Sequence, residues 1–344
     1  MCRSLDVIKL LSLSCVCFAL ACQPEDPSAD DNKGDGSDQG QDVIQDMDTS
    51  ASDDGGTEPV QEEMTLVLNP GVDVSVATFN VQRLFDEECD SGQCDADDFE
   101  EVISTLSINS KVDRIQRALM SIDADVIVLQ EIEKKELLDR VLEGMESEYP
   151  TAIFGETNFA ASLDVAVISR GDYIKHVKHR GTVLQTQTGG TEKFAREFLE
   201  VHVEIEGQEV IVFGAHFISK RTSNSAPRRW AEGNGAGEIA SKVAAENPEA
   251  LVVIAGDLND TPDSAPLTAM CSHGCEMPSL KVSADKYYTH VFYGERAILD
   301  HVVYWPAEHV QMHPDGLSVI RDTGKDGLAD SDHASPRVLF RLAD

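Results

Sequence analysis

The chain has 344 residues, of which 41% are hydrophobic and 26% charged, and its formal net charge is −34 at pH 7. This length and apolar content allow one sizeable core, in one or two domains. A chain this acidic repels nucleic acid at long range, which excludes a protein that binds polyanions through its overall charge. A locally basic cleft is not excluded, because the stretch from Asp164 to Arg229 holds ten Lys or Arg against eight Asp or Glu.

The first 22 residues are typical of a secretion signal. Arg3 and Lys9 precede an apolar run over residues 10–21, which is about half the length that spans a bilayer. The segment ends in FALAC, which resembles the bacterial lipobox, so we expect cleavage before Cys22 and lipidation of its thiol. An ordinary secretory signal with a chance cysteine is the alternative. Both interpretations predict an exported protein.

The lipid at Cys22 would place the protein at the cell envelope, attached to the membrane through its N-terminus only. Gln23 follows this cysteine, where inner-membrane retention is associated with aspartate, so we expect the outer membrane of a Gram-negative bacterium. Residues 23–63 hold fourteen acidic residues and one lysine, with almost nothing apolar to bury. That composition predicts a disordered, extended linker between the anchor and a domain over residues 64–344.

Four cysteines remain once the signal is removed and Cys22 carries the lipid. In an oxidising compartment an even number favours disulfides, and the close spacing within each pair favours two local ones. Other pairings and a four-cysteine zinc site remain open. The four residues are Cys89, Cys94, Cys271 and Cys275.

The region after the linker alternates apolar runs with polar helical stretches, a pattern that predicts a mixed α/β domain. The runs that predict strands are VSVATFNV, DVIVLQEI, DVAVISR, FLEVHVEI, EVIVFGAHF, LVVIAGDLN, ILDHVVYW and PRVLFRL. Helices are predicted over Arg114–Ile122, Lys134–Met145 and Pro227–Ala245. With no internal repeat and no second linker, one domain is the simplest organisation.

Polar residues close several of these strands, and strand ends that meet at one rim are where α/β enzymes assemble their sites. Carboxylate and amide oxygens suit Mg²⁺ or Mn²⁺, whereas imidazoles transfer protons or donate to a phosphoryl oxygen. The set comprises Asn80, Glu131, His216, Asp257, Asn259, Asp300, Asp332 and His333.

Over residues 74–342 the sequence resembles the endonuclease/exonuclease/phosphatase superfamily, which includes deoxyribonuclease I. The motifs occur in the family's order: ATFNVQRLFD, VIVLQEIE, DVAVISR, FAREFLEVHV, FGAHFISK, IAGDLNDTP, ILDHVVY and SDHASPRV. Each is weak alone, but eight in register make a chance match unlikely. The resemblance implies a four-layer α-β-β-α sandwich with two packed mixed β-sheets, and a metal-dependent phosphoester hydrolase.

The resemblance also implies the metal site. Glu131 would be the principal ligand, and Asn80 and Asp332 would complete its direct or water-mediated shell. We expect Mg²⁺ or Mn²⁺, and Ca²⁺ is compatible with the same oxygen ligands.

Catalytic roles follow from the same motifs. Asp257 and Asn259 would orient the attacking water and contact the phosphate. His333, held by Asp300, would contact or protonate the phosphoryl group. The burial of a carboxylate within the strand ILDHVVY requires such a partner on physical grounds alone.

A second pair is implied by the deoxyribonuclease I branch, in which a carboxylate partners the motif histidine. Here that pair would be Glu197 and His216, although a core histidine is the alternative for His216. His202, His290 and His301 fall outside the motifs and are interpreted as structural or surface residues.

Further phosphate contacts are predicted for Arg196, Lys220 and Arg221. Many family members have a lysine two residues after the motif histidine, but Ile218 stands there in this chain. This departure puts that particular contact in doubt.

The substrate is not fixed by the motifs. Glu197 and the basic residues Lys220, Arg221, Arg228 and Arg229 favour a nuclease that cleaves DNA or RNA, although Arg228 and Arg229 also fit a solvated helix face. The alternative is a phosphatase or phosphodiesterase acting on inositol phosphates, phospholipids or other small phosphoesters. A binding protein that has lost catalysis is disfavoured, because each motif position holds a competent residue. We expect a monomer.

Overall fold

The computed structural model describes residues 70–343. Their strands are β1 (Gly71–Leu84), β2 (Val126–Ile132), β3 (Thr151–Gly155), β4 (Asp164–Ser169), β5 (Asp172–Lys178), β6 (Leu184–Gln185), β7 (Thr191–Glu192), β8 (Leu199–Ile205), β9 (Gln208–His216), β10 (Leu251–Asp257), β11 (His290–Phe292), β12 (Glu295–Ala297), β13 (Asp300–Tyr304), β14 (Val310–Ile320) and β15 (Ser335–Ala343). The helices are α1 (Thr105–Ile122), α2 (Lys135–Leu142), α3 (Ala226–Glu246), α4 (Ala265–Cys271) and α5 (Ala284–Tyr287), with a 3₁₀ turn at Pro278–Lys281.

Two large mixed sheets carry the fold. The first has the order β14-β15-β1-β2-β4-β3, and the second has the order β13-β10-β9-β8-β5. Alternate residues of the central strands point to opposite faces, so β1 sends Val74 and Val76 into the core between the sheets and Phe79 towards α1 and α2. Helices α3 and α4 cover the outer face of the second sheet. The predicted four-layer α-β-β-α sandwich is therefore confirmed.

The eight predicted strands are all present, but three longer strands escaped the sequence pattern. Strand β5 is exposed along its whole length and β14 is mostly half-buried, so neither forms a continuous apolar run. Strand β3 has only five residues. Helix α1 begins nine residues before the predicted start, because Ser104 caps it by accepting a hydrogen bond from the backbone N–H of Ser107.

Strand pairing brings the polar strand ends to one rim. In the first sheet β1 and β2 run parallel, with Asn80 opposite Gln130 and therefore beside Glu131. In the second sheet Asp257 at the end of β10 is paired with His216 on β9 and with Asp300 on β13. Three of the predicted site residues thus share one register.

Both local disulfides, Cys89–Cys94 and Cys271–Cys275, are present in the structure. The signal, Cys22 and the acidic linker lie outside the described residues. Within residues 70–343, no helix is long and apolar enough to cross a membrane.

Candidate active site

The edge of the first sheet presents an amide beside a carboxylate. Asn80, which is 1% exposed, donates from Nδ2 to Glu131 Oε1 at 3.2 Å and to Asp257 Oδ2 at 3.1 Å. Glu131 lies in the left-handed region with φ 67°, an unusual conformation for a non-glycine residue. Asn80 and Glu131, both predicted metal ligands, are therefore in contact. Asp257 of the second sheet accepts a hydrogen bond from Asn80.

A strained turn after Asn80 orients these two side chains. Gln82 and Arg83 have φ values of 55° and 48°, where the pairing of β1 with β2 shifts register. The Gln82 N–H donates to Asn80 Oδ1 at 2.9 Å, and the Arg83 N–H donates to Glu131 Oε2 at 2.8 Å. Two consecutive backbone donors thus fix the two predicted ligands.

Lys111 of α1 stabilises this turn. The sequence patterns did not predict its role. Its Nζ donates to the carbonyl oxygens of Gln82 and Arg83. Burial lowers the pKa of Lys111 to about 8, although the charges of Glu131 and Asp332 oppose that shift. No motif marks it, because its partners are carbonyl groups 28 and 29 positions away in sequence.

A buried histidine–carboxylate pair joins the two sheets, because Asp300 begins β13 of the second sheet and His333 lies just before β15 of the first. His333 Nδ1 lies 2.8 Å from Asp300 Oδ2, and the two residues are 7% and 0% exposed. The structure therefore contains the contact that the motifs implied. His333 Nε2 faces two more carboxylates, with Asp257 Oδ2 and Asp332 Oδ1 each at 3.9 Å.

These carboxylates set the charge of the imidazole. Burial alone would lower the pKa of His333, but the charge of Asp300, its hydrogen bond and the charges of Asp257 and Asp332 together raise that pKa to about 10. Burial, with a further contribution from Asp300, raises the pKa of Asp257 to about 7. His333 is therefore a charged donor at neutral pH.

The predicted pairing of Glu197 with His216 is wrong. Glu197 Oε1 accepts the backbone N–H of Arg180 at 2.8 Å, so this carboxylate stabilises a turn instead. The closest carboxylate to His216 Nε2 is Asp257 Oδ2 at 3.7 Å, and its Nδ1 has no hydrogen-bond partner among the described residues. Burial, and then the charges of Arg196 and His333, hold the pKa of His216 well below its usual value.

The cleft is the group formed by Asn80, Glu131, Asp257, Asp300, Asp332 and His333. Asp332 is its exposed member and lies beside a histidine that the motifs did not include. His290 Nε2 is 3.5 Å from Asp332 Oδ2, and the His290 and His333 ring centroids are 4.8 Å apart. One ligand atom of each of these three residues lies within 4.8 Å of the others. His290, which was interpreted as a structural or surface residue, is buried and adjoins two of the predicted site residues. Its proximity comes from an isolated backbone bridge to His333, which local sequence does not reveal.

His202 and His301 make structural hydrogen bonds, in agreement with the expected structural role. His202 bonds Glu200 and Glu209, each at 2.7 Å, and His301 bonds Ser279 and the carbonyl of Asp260, each at 2.9 Å. Both histidines are buried and satisfied by structural partners.

Asn259 follows Asp257 in a left-handed conformation, with φ 51°. Its backbone N–H donates to Asp257 Oδ1 at 2.9 Å, and its Nδ2 donates to the carbonyl of Phe217 at 3.0 Å. In this arrangement the amide nitrogen ties the end of β10 to the loop after β9, and Oδ1 is the atom left for a substrate or water.

The basic residues near the rim divide into two groups. Arg229 is 6% exposed and forms an ion pair with Asp260 at 2.8 Å, so it neither follows a phosphate backbone nor belongs to a solvated face. Arg228 Nε donates to the carbonyl of Lys193 at 2.9 Å. Lys220, Arg221 and Arg196 remain as candidate phosphate contacts.

Each of the three candidates already has a local partner. Lys220 Nζ is 2.6 Å from Asp260 Oδ1 but its side chain is half exposed. Arg221 is exposed and lies over the ring of Phe292. Arg196 donates to the carbonyl of Phe217 at 3.3 Å, and its charge acts on His216.

The donor set fits a divalent cation. Carboxylates crowd the cleft around one charged imidazole, and Oδ1 of the fully buried Asp300 has no hydrogen-bond partner among the described residues. Oxygen ligands of this kind suit Mg²⁺ or Mn²⁺. A cation would also offset the burial and the repulsion from Asp300 that together raise the pKa of Asp257. The four carboxylates are Glu131, Asp257, Asp300 and Asp332.

Comparison with known proteins gives a family and a fold. Residues 75–292 match the model of the endonuclease/exonuclease/phosphatase family. None of the curated proteins matches the chain. The matched range includes Asn80, Glu131, His216 and Asp257, whereas Asp300, Asp332 and His333 lie beyond it and join the cleft through the contacts described above.

Three solved structures share the fold. TDP2 from Caenorhabditis elegans, in its selenomethionine form, is 18% identical, with TM-score 0.52 over 79% of this chain and 75% of its own. TDP2 from D. rerio, complexed with a single-strand DNA product, is 16% identical, with TM-score 0.52 over 78% and 99%. The human Nocturnin catalytic domain, with a bound sulfate anion, is 15% identical, with TM-score 0.53 over 80% and 97%. At these identities the likeness shows the fold alone.

Proposed function

The chain belongs to the endonuclease/exonuclease/phosphatase family, and from this premise we propose that it is an exported, metal-dependent nuclease that cleaves phosphodiester bonds of DNA or RNA. The observation that carries the proposal is the convergence of two sheets on one cleft. Asn80 and Glu131 come from the first sheet, and Asp257 and Asp300 come from the second. His333 lies just before β15 of the first sheet and is bonded to Asp300. Hydrolysis of a phosphoester is the chemistry that family membership implies.

Glu131, Asn80 and Asp332 would hold the Mg²⁺ or Mn²⁺ ion, which when bound supplies positive charge to a phosphoryl oxygen. His333 supplies a second positive charge. Because Asp300 accepts from Nδ1, the Nε2–H of the charged imidazole is free to donate to the phosphoryl group. Asp257, whose carboxylate adjoins both imidazoles, accepts a proton from the attacking water or orients it.

Nucleic acid is favoured over small phosphoesters by the cations at the rim. Lys220 and Arg221 follow β9 at the mouth of the cleft, and Arg196 lies near His216. One structural neighbour, TDP2 from D. rerio, was solved with a single-strand DNA product. The opposing observation is the formal charge of −34, which repels a long polyanion. That charge keeps a phosphatase or phosphodiesterase for small or lipid phosphoesters as the second candidate.

A substrate panel decides between the two. Purified residues 64–344 are incubated with plasmid DNA, RNA, inositol phosphates and sphingomyelin, each with Mg²⁺, Mn²⁺ or Ca²⁺. The proposal expects metal-dependent cleavage of DNA or RNA at a higher kcat/KM than for the other substrates. Turnover confined to inositol phosphates or sphingomyelin would establish the second candidate, and no turnover of any substrate would contradict both.

Export and lipid anchoring rest on the sequence of residues 1–22. We propose that Cys22 carries the lipid and that the acidic linker separates the domain from the outer membrane. Cys22→Ala should abolish fatty-acid labelling and detergent partitioning, while Cys17→Ala within the signal should leave both unchanged. Unchanged labelling of Cys22→Ala would place the anchor elsewhere or remove it.

A further inference from the structure

A row of four aromatic rings leads from the cleft to solvent. The ring centroids of His333 and His290 are 4.8 Å apart, those of His290 and Phe292 are 6.3 Å apart, and those of Phe292 and Tyr293 are 4.3 Å apart. Exposure rises along the row, from 7% and 8% for the histidines to 44% for Phe292 and 93% for Tyr293. The row therefore begins at the imidazole assigned to the phosphoryl group and ends in two rings that solvent reaches.

The backbone displays these two rings in a fixed way. Phe292 pairs with Glu295 across the hairpin of β11 and β12, which leaves Tyr293 and Gly294 as a two-residue turn. Their φ values of 49° and 85° are both positive, as the tight hairpin turn requires. The base of the hairpin is bonded to the residue after His333, because the Ala334 N–H donates to the Thr289 carbonyl at 2.7 Å. Phe292 and Tyr293 are thus held at a set place relative to His333.

A cation completes the arrangement from another part of the chain. The guanidinium of Arg221, in the loop after β9, lies 5.2 Å from the centroid of the Phe292 ring. Within residues 70–343, Arg221 has no ion-pair partner, and its side chain is exposed. An aromatic surface with an adjacent free cation is the combination by which proteins hold single-stranded nucleic acid.

We propose that Phe292 and Tyr293 form a stacking subsite for a base of single-stranded nucleic acid, next to the scissile phosphate at His333, and that Arg221 contacts an adjoining phosphate. This inference rests on the proposed nuclease function and names the form of its substrate. A base within a duplex has both faces covered, so stacking on an exposed ring selects strands, overhangs or frayed ends. Every base offers a π-face, so we expect the subsite to discriminate little between base sequences.

A lipid surface is the other occupant that exposed aromatic rings can bind, and the surrounding charges disfavour it. Only two large apolar side chains project from the turn, and the charged residues Glu295 and Arg296 follow Gly294. Inserting this turn into a bilayer would also remove Arg221 from water. A stacked base leaves all three charges solvated.

The test compares a single-stranded oligonucleotide with the same strand built from abasic residues, so that the backbone phosphates are identical and only the bases are missing. The wild-type chain should cleave the base-bearing strand with about tenfold higher kcat/KM. In Phe292→Ala/Tyr293→Ala the ratio of kcat/KM between the two strands should fall to about one, because kcat/KM falls for the base-bearing strand alone. Tyr293→Phe, which keeps the ring, should retain the wild-type ratio.

Two matched variants serve as controls. Tyr173→Ala removes an aromatic ring of similar exposure from β5, at the far edge of the second sheet, and should leave the preference unchanged. Arg221→Gln should lower kcat/KM for both strands by the same factor, because it removes a phosphate contact. If Phe292→Ala/Tyr293→Ala keeps the wild-type preference, or slows both strands equally, the stacking subsite is wrong.

Binding separates failure of the subsite from failure of the nuclease proposal. Fluorescence anisotropy of both labelled strands is measured with the wild type and with Phe292→Ala/Tyr293→Ala. If neither strand is cleaved but the wild type binds the base-bearing strand more tightly, the subsite stands and the nuclease function fails. Equal binding of the two strands overturns the subsite. Flotation with phosphatidylcholine–sphingomyelin vesicles that depends on these two rings would likewise overturn it in favour of a lipid surface.

Discussion

At the edge of the first sheet, Asn80 and Glu131 depend on a strained turn, in which two left-handed residues aim their N–H groups at the predicted ligands. At the edge of the second sheet, His216, Asp257 and Asp300 stand side by side on three regular strands. Regular pairing positions a side chain without help, whereas an irregular turn needs supporting groups such as Lys111. We therefore expect substitutions at the first edge to disturb geometry and those at the second to disturb charge.

The largest contrast should separate the two histidines of the site, His216 on β9 and His333 just before β15. His333 is charged through Asp300, whereas His216 is neutral and lacks a carboxylate within hydrogen-bond distance among the described residues. We expect His333→Ala to lower kcat about 300-fold and His216→Ala only about tenfold, because the charged imidazole stabilises the charge that develops on phosphate. Steady-state kinetics on one phosphodiester measures both. Equal losses would remove the distinction.

Lys111→Met should show that the first edge depends on its turn. Loss of the Nζ contacts frees the Gln82 and Arg83 carbonyls, so the two predicted ligands lose their fixed orientation. We expect roughly a tenfold weaker half-saturation by Mg²⁺, with kcat largely recovered at high metal. Lys135→Met, at an exposed ion pair on α2, is the control. An unchanged Mg²⁺ dependence in Lys111→Met would mean that the turn holds its shape unaided.

The loops of the second edge should carry a pH dependence of stability. Glu232 accepts the N–H groups of Ala195 and Ile218, at 2.7 and 2.8 Å, and burial raises its pKa from 4.5 to about 7. The folded chain therefore holds a proton that the unfolded chain has lost between these pH values. The free energy of unfolding should fall by up to about 3 kcal/mol as pH rises from 4.5 to 7.

Urea unfolding of the wild type and of Glu232→Gln across this pH range measures that contribution. The glutamine keeps an acceptor oxygen but does not titrate, so the difference in unfolding free energy between the two chains should change with pH. A difference that is constant from pH 4.5 to pH 7 would contradict the assignment.

The smallest effect is expected at Glu197. Because its carboxylate accepts from the Arg180 backbone, Glu197→Gln keeps an acceptor there and leaves His216 untouched. We expect kcat to stay within about twofold of the wild type. A loss as large as that of His216→Ala would restore the pair that the motifs implied.

At the second edge, the sequence predicted which residues belong to the site better than it predicted their hydrogen-bond partners. Apolar runs that end in Asp257 and His216 place those residues on neighbouring strands, and the motif order supplied Asp300 and His333. The error at Glu197 has a physical origin: a carboxylate satisfied by a nearby backbone N–H carries the same sequence signal as one that faces a histidine. Spacing along the chain cannot separate the two.

At the first edge, the sequence predicted the ligands Asn80 and Glu131 but not the groups that hold them in place. Lys111 acts through carbonyl oxygens, which no residue pattern encodes, and the left-handed conformations of Gln82 and Arg83 occur in residues that do not favour them. His290 escaped for a related reason, since its place beside Asp332 depends on the bridge between two segments distant in sequence. Local sequence patterns therefore predicted the polar residues at the strand ends. The roles of Lys111 and His290 depend on contacts between segments distant in sequence, which those patterns do not encode.

The central claim is that Glu131 of the first edge and His333, which is bonded to Asp300 of the second edge, act on one phosphate, and a double-variant cycle between them tests it. Glu131→Gln and His333→Ala are measured singly and together for kcat/KM on one phosphodiester, with circular dichroism to confirm an intact fold. We expect Glu131→Gln to lower kcat/KM about 1,000-fold and the double variant to be scarcely slower than the slower single one. Losses that multiply would mean that Glu131 and His333 act independently and would contradict the account.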